Sequence, residues 1–161
     1  MRVATTISFE VAYSQLVVFA SALQLPFNDW TDRHVSQGFA WRPGSVSFRS
    51  MNEAGRHSVE IIVTDHVGAV HPKALRAVEV PFDIPADGAV EVGSIVETIP
   101  LSLPAGSYLL RCEFLQPEGT DSTRVRLTFG KWDAPHFAIV RADPELSVEG
   151  ELLTTAQPAF C

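Results

Sequence analysis

The feature that most constrains the fold is a period-two alternation of apolar and polar residues, which recurs along most of the chain. Successive side chains of a β-strand point to opposite faces of its sheet, so this alternation predicts strands that are buried on one side. The alternation is clear in three segments, whose apolar faces are Ile7, Phe9, Val11 and Tyr13; Tyr108, Leu110, Cys112 and Phe114; and Val125, Leu127 and Phe129.

Turn-forming sequences separate these segments. Pro43-Gly44, Pro85–Gly88 and Leu103–Gly106 each place a proline close to a glycine, which is typical of tight turns. We therefore expect about nine or ten short strands, roughly ten to fifteen residues apart, with no long helical period. The predicted fold class is all-β: residues 1–161 form a single antiparallel β-sandwich domain with one short helix after the second strand.

Several local expectations accompany this fold. The polar segment Met51–Arg56 predicts a hairpin that joins strands at 45–50 and 57–64. Pro81 restricts its own strand to a sheet edge or a bulge, because proline has no N–H to donate. Residues 131–161 are less regular, with a weak strand at 149–155, and the residues after Ala156 are expected to fray.

The segment Asn28–Gln37 is the one confident helix candidate. Asn28 or Thr31 can cap its first turn, and Asp29 and Asp32 lie where the helix dipole favours negative charge. Gly38 supplies a stop.

Composition and charge narrow the class of function. The 161 residues carry a formal charge of −7, which argues against a nucleic-acid binder, because phosphate contacts require clustered Lys and Arg. The apolar stretch 16–25 is too short to span a bilayer, so no membrane insertion is expected. Cys112 lies in a strand pattern and Cys161 is terminal, so a disulfide framework is not predicted. A reducing, cytoplasmic location is expected.

No catalytic pattern stands out, and we predict neither an enzyme nor a cofactor. The sequence contains no G-x-S-x-G, G-x-G-x-x-G or Walker loop. A metal-dependent jelly-roll enzyme stays open as a minor alternative, since ligands can come from separate strands. The chain has five histidines without close ligand spacing, namely His34, His57, His66, His71 and His136.

Recognition features are concentrated around Trp30. A tryptophan between Asp29 and Asp32 suits an exposed binding anchor beside negative charge. It suits equally a plug at one end of the core, with one of the aspartates capping the helix. Glu53, and more remotely Asp65, can extend an acidic patch in this half of the chain.

The same region resembles the competence protein J (ComJ) family. The most specific likeness is a run of three motifs, and further matches bring it to roughly residues 5–118. The three motifs are Asp29-Trp30-Thr31-Asp32, Gln37-Gly38-Phe39-Ala40 and Gly44-Ser45-Val46-Ser47-Phe48; the further matches are Val80-Pro81-Phe82, Glu91–Ile95 and Leu101–Leu110.

The resemblance implies a small acidic protein that binds a nuclease and blocks it, in the manner of an immunity protein. The expected partner is a competence or toxin nuclease encoded nearby, and the expected contact residues are Asp29, Trp30, Asp32 and Glu53. The chain departs from the family pattern by a longer C-terminal part, 131–161, which can add or cover an interface. The alternative function is a carbohydrate- or lipid-binding sandwich that uses Trp41 and Trp132.

Overall fold

The computed structural model describes residues 2–117, 123–132, 134 and 136–160, which form two facing β-sheets. The helix among them is α1, Asp32–Gln37. The strands are β1 Val3–Val11, β2 Gln15–Ala20, β3 Phe39–Arg42, β4 Ser45–Arg49, β5 Gly55–Thr64, β6 Ala74–Ile84, β7 Ala89–Gly93, β8 Thr98–Ser102, β9 Gly106–Leu115, β10 Thr123–Lys131 and β11 Ala138–Arg141.

One sheet has six strands in the order β1-β5-β10-β9-β6-β11, and the other has five in the order β3-β4-β2-β7-β8. Neighbouring strands are antiparallel, except that β10 runs parallel to β5. The predicted fold class is therefore confirmed: an all-β, mostly antiparallel sandwich with one short helix after the second strand.

The inner faces of the sheets form one hydrophobic core. The alternating apolar residues predicted on β9 and β10 all belong to it, from Tyr108 through Phe129. Burying each large aliphatic or aromatic side chain contributes about 1.5–3 kcal/mol, so the two facing sheets stabilise each other. Cys112 lies in the same core, and burial raises the pKa of its thiol well above the ordinary value. Cys161 lies outside the described residues.

The predicted hairpin between the fourth and fifth strands is wrong. β4 pairs with β2 and β3 in the five-stranded sheet, whereas β5 pairs with β1 and β10 in the six-stranded sheet. The segment 50–54 thus crosses from one sheet to the other. A short polar loop serves either connection, and the sequence pattern does not distinguish them.

Two other expectations need correction. Tyr13 does not continue the inward face of β1; it lies in a turn with φ 58° and is 71% exposed. The helix begins at Asp32 rather than Asn28, because Thr31 is the N-cap. Asn28 is buried and extended beside β3 and β4, where its side chain has another role, described below.

The expectation for Pro81 is confirmed in a local sense. β6 pairs with β9 along its whole length, but its other neighbour, β11, pairs only with residues 77–79. At Pro81 the strand is therefore at an edge. Its carbonyl accepts a hydrogen bond from Trp41 Nε1 at 2.7 Å, which joins the two sheets.

Residues 142–160 form an extended segment, called the strap below, that crosses the end of the sandwich beside α1. The predicted fraying after Ala156 is wrong. Ala156 is buried, and the Ala159 N–H donates to the Phe27 carbonyl at 2.8 Å. The predicted strand at 149–155 is absent from the described residues. The strap is ordered by contacts with the sandwich rather than by its own secondary structure.

A buried ion pair fastens the start of the strap. Arg76, fully buried in β6, donates from Nε and Nη2 to the two carboxylate oxygens of Asp143 at 2.7 and 2.9 Å. Its Nη1 donates to the carbonyl of Arg49 in the opposite sheet at 2.6 Å. One guanidinium therefore connects both sheets and the strap. Glu145 contacts the same guanidinium only at 3.5 Å and is exposed.

We predict that Asp143→Ala lowers the free energy of unfolding by about 3–5 kcal/mol, because it leaves the buried Arg76 guanidinium unpaired. The matched control is Glu145→Ala, which removes an exposed partner of the same arginine and should cost less than about 1 kcal/mol. Urea unfolding measures both variants. Equal effects would show that Asp143 does not hold the strap.

We also predict a pH dependence that arises from His57. This side chain is fully buried, its Nδ1 bonds the Gly55 carbonyl at 2.9 Å, and burial lowers its pKa below the ordinary 6.5. Below about pH 6.5 the unfolded chain takes up this proton before the folded chain does, so the free energy of unfolding falls. In His57→Asn, urea unfolding between pH 7 and pH 5 should show a smaller loss of stability. An unchanged slope would contradict the prediction.

Candidate functional site

The segment that precedes α1 is fixed by the buried side chain of Asn28. Its Nδ2 donates to the carbonyls of Ala40 at 2.9 Å and Ser45 at 3.3 Å, and its Oδ1 accepts from Arg42 Nε at 2.7 Å. These bonds satisfy the amide in the way that a buried polar group requires. They hold Asp29 and Trp30 at a defined place beside β3 and β4.

Both ends of α1 are capped by residues of the motif. The Thr31 hydroxyl accepts from the His34 N–H, and the Thr31 N–H donates to His34 Nδ1 at 2.9 Å, which is a capping box with histidine in the place of Glu or Gln. At the other end, Gly38 is left-handed with φ 88°. A Cβ at Gly38 would also lie 2.9 Å from Leu146 of the strap.

The strap covers one side of α1 and is bound mainly through its backbone. The buried Gln37 accepts from the Leu153 N–H and donates to the Leu153 carbonyl, each at 2.8 Å. His34 Nε2 lies 2.9 Å from the Thr155 carbonyl, so it donates there while Nδ1 accepts from Thr31. Arg33 donates to the carbonyls of Ser147 and Glu151.

The other side of α1 borders an open groove of about 550 Å³. Asp29 and Trp30 form part of its wall, together with Val35 of α1 and Arg49 at the end of β4. The β1–β2 turn supplies the facing wall, and Ala159 of the strap closes one edge. The complete lining is Tyr13, Ser14, Gln15, Asn28, Asp29, Trp30, Val35, Arg49 and Ala159.

Two polar atoms of the groove lack partners. Trp30 Nε1, a donor, and Gln15 Oε1, an acceptor, are both buried without a hydrogen bond. Trp30 is half-buried, lies edge-on to the His34 ring at 6.3 Å, and is not part of the hydrophobic core. It is neither a freely exposed anchor nor a core plug. It presents part of its surface at the groove, while its Nε1 is buried and without a partner.

The facing wall has an unusual backbone. Tyr13 and Ser14 both have φ 58°, a conformation that favours Gly and Asn. Bonds from Ser14 N–H to the Glu53 carbonyl at 2.9 Å, and from Ser50 N–H to the Ser14 carbonyl at 2.8 Å, stabilise the turn. Backbone strain of this kind persists only where the surroundings enforce it, and it holds Tyr13 outward at the rim.

The predicted contact residues are partly brought together. Asp29 and Trp30 line the groove; Asp32 follows on the first turn of α1; Glu53 adjoins the facing wall through its backbone. The carboxylates of Asp29, Asp32 and Glu53 are exposed and make no hydrogen bond or ion pair with other described residues.

Asp65 does not join this group. It follows the last residue of β5, whereas Glu53 precedes the first, and ten residues of strand span about 30 Å. Of the nearby basic side chains, Arg49 is paired with Glu145 at 3.1 Å, whereas Arg33 donates only to neutral strap carbonyls and keeps its positive charge. The unpaired carboxylates of Asp29, Asp32 and Glu53 outnumber Arg33, so the charge beside the groove is on balance negative.

Several groove residues were not predicted from the sequence. The turn at Tyr13 and Ser14 has no glycine or asparagine, so the sequence does not indicate a turn there. Gln15 and Arg49 lie at strand ends, where their polar side chains predict only solvent exposure. The clue to Arg49 was its place directly after the motif strand 44–48.

In the described residues, no group of three His, Cys, Asp or Glu side chains is placed to hold a metal ion. In the same part of the chain, no helix has the length and apolar character needed to cross a membrane. Trp41 packs against the core and Trp132 lines a cavity outside the six-stranded sheet, so the two do not form one aromatic surface.

The comparison with known proteins matches a part of the chain that includes the motif segment 29–48. The competence protein J (ComJ) family profile matches residues 8–130, a range that includes α1 and ends before the strap. The DNA-entry nuclease inhibitor of Bacillus subtilis (strain 168) is 30% identical over 117 residues, which cover 69% of this chain and 82% of that protein.

Two solved structures share the fold. The crystal structure of ComJ, inhibitor of the DNA degrading activity of NucA, from Bacillus subtilis superposes with a TM-score of 0.70 at 22% identity, over 82% of this chain and 99% of that one. A protein described as crocagin biosynthetic gene J superposes with a TM-score of 0.56 at 15% identity, over 80% of this chain and 97% of that one. These two likenesses show the shared fold, and the family match with the 30% identical relative shows that the chain belongs to the competence protein J family.

Proposed function

We propose that this protein inhibits a DNA-degrading nuclease by binding it, without catalysing a reaction. The observation that carries the proposal is the groove beside the family motif, with unpaired carboxylates and a half-exposed tryptophan. A relative in the same family is a DNA-entry nuclease inhibitor, which supports the same function here. The partner is a competence or toxin nuclease encoded near this protein.

The proposed contact surface is the open side of the motif, defined by Tyr13, Asp29, Trp30, Asp32 and Glu53. The strap occupies the opposite side of α1, so a partner approaches from the groove. Tyr13 and Trp30 then supply aromatic surface of the kind that often dominates the affinity of an interface.

Electrostatics favours a nuclease over a generic partner. A DNA-binding cleft is positively charged, because it has to contact phosphates. Carboxylates that lack internal partners can approach such a cleft and occupy the place of phosphates or of a metal's ligands. Complementary charge speeds association, and a desolvated aromatic contact slows release.

The direct test mixes the purified chain with the nuclease encoded beside it and measures DNA degradation. Inhibition at a stoichiometric amount is expected. Full nuclease activity in the presence of excess protein, at low and at high salt, would contradict the assignment.

We predict that Asp29→Asn/Asp32→Asn lowers the association rate with the nuclease about tenfold at low salt, because steering by opposite charge is lost. The difference should shrink at high salt, where exposed charges are screened. Stopped-flow kinetics measures both rates. The matched control, Asp83→Asn/Asp87→Asn, removes the same charge from the opposite end of the sandwich and should leave the rate within about twofold.

We predict that Trp30→Leu weakens nuclease binding by about 30-fold or more, mainly through faster dissociation, as expected of a central aromatic contact. Surface plasmon resonance measures the rates. Trp132→Leu, which removes a half-exposed tryptophan from another surface, is the control and should bind normally. If Trp132→Leu weakened binding and Trp30→Leu did not, the contact surface would have been misassigned.

A further inference from the structure

A second cavity, of about 290 Å³, lies outside the six-stranded sheet and far from the groove along the strands. Its floor is formed by Glu79 of β6 and by Leu109 and Arg111 of β9. One wall is the connection after β5, at His66 and Val67. The other wall consists of Lys131, the last residue of β10, and Trp132. The cavity is half-enclosed and mostly apolar.

The absence of a side chain at Gly130 shapes this cavity. A Cβ there would lie 2.6 Å from the Val67 backbone nitrogen, so glycine allows the connection to pack onto the sheet. The connection thereby forms a wall rather than a loose loop. The resulting space is a built feature of the fold, positioned by backbone packing on one side and by the sheet on the other.

The floor contains a buried guanidinium whose donors are only partly used. Arg111 is 5% exposed; its Nε and Nη2 bond Glu79 Oε2 at 2.8 and 2.7 Å. The second carboxylate oxygen of Glu79 contacts His136 Nε2 at 3.1 Å. Arg111 Nη1 is buried and has no hydrogen-bond partner. Glu79 therefore satisfies one side of the guanidinium and leaves the buried Nη1 without a partner.

An unpaired nitrogen on a buried cation is costly, and its best complement is a planar anion. A guanidinium binds a carboxylate through two parallel N–H···O bonds, with both geometry and charge matched. The Lys131 ammonium at the cavity edge adds a second cationic group. The apolar surfaces of Leu109, Val67 and Trp132 suit a small hydrocarbon or aromatic body attached to that carboxylate.

We propose that this cavity binds a small organic acid, whose carboxylate pairs with the unpartnered Nη1 of Arg111 after a small side-chain shift and whose apolar body lies against Trp132. The site is independent of the proposed nuclease contact. Glu79 orients the guanidinium by occupying its Nε side, and it prevents Arg111 from turning away. The proposal is a binding site and includes no reaction.

The test uses the full chain, labelled with ¹⁵N and titrated with benzoate, benzamide and acetate. Benzoate should shift the Trp132 indole and Arg111 Nε resonances in a saturable manner. Benzamide lacks the charge and acetate lacks the apolar body, so both should bind about tenfold more weakly or worse. Trp132→Phe identifies the indole signal.

Arg111→Lys is the informative variant, because it keeps the charge beside Glu79 but removes the planar fork; benzoate binding should weaken about tenfold. Arg126→Lys is the matched control. Arg126 pairs with Glu113 on the same outer face at 3.0 Å, does not line this cavity, and should leave benzoate binding unchanged. The proposal would be overturned by any of three results: benzoate causes no shifts, benzoate and benzamide bind equally, or folded Arg111→Lys binds benzoate as well as the unchanged chain does.

Discussion

The buried guanidinium of Arg76 connects three parts of the chain, and the architecture around the groove depends on it. It belongs to β6, donates across the sandwich to the Arg49 carbonyl, and holds both oxygens of Asp143 at the start of the strap. A charge removed from water must be fully paired, so its position fixes the positions of its partners. Arg49 is one of those partners, and its side chain then extends into the groove wall. Packing at the end of the core and the shape of the surface are thus coupled through one side chain.

The residues in and around the family motif fall into two groups: some hold the helix and the strap in place, and others face solvent. Thr31, Gln37 and Gly38, together with His34 between two of the motifs, are used for capping the helix and binding the strap. Asp29, Trp30 and Asp32 make few internal contacts and remain at the surface. In a ComJ relative that has no segment equivalent to the strap, the side of α1 formed by Arg33, His34 and Gln37 would need another cover. Here the strap provides that cover, and it leaves the groove side accessible.

The sequence predicted the sandwich because alternation is a direct consequence of strand geometry; the inward faces of β9 and β10 show it without interruption, although Leu109 and Leu115 break the outward face of β9. It predicted the wrong partner for β4, because pairing depends on distant strands, and a polar loop is compatible with either sheet. It gave no indication of the buried ion pair between Arg76 and Asp143, since two partners 67 positions apart leave no local pattern. The motif itself pointed to Asp29 and Trp30, whereas the groove's facing wall at Tyr13 and Ser14 came only from tertiary structure. The prediction that Asp29, Trp30, Asp32 and Glu53 contact a partner stays a prediction.

The way in which α1 binds the strap has a consequence for divergence within the family. Most of the bonds end on main-chain atoms of Ser147, Glu151, Leu153 and Thr155 rather than on their side chains. Main-chain atoms are common to every amino acid, so substitutions along this segment can accumulate without loosening its attachment. The exposed side chains there are consequently free to acquire new chemistry on the side of α1 opposite the groove. A lineage could thus change which enzyme it recognises while keeping the same scaffold, through mutations that cost little folding stability.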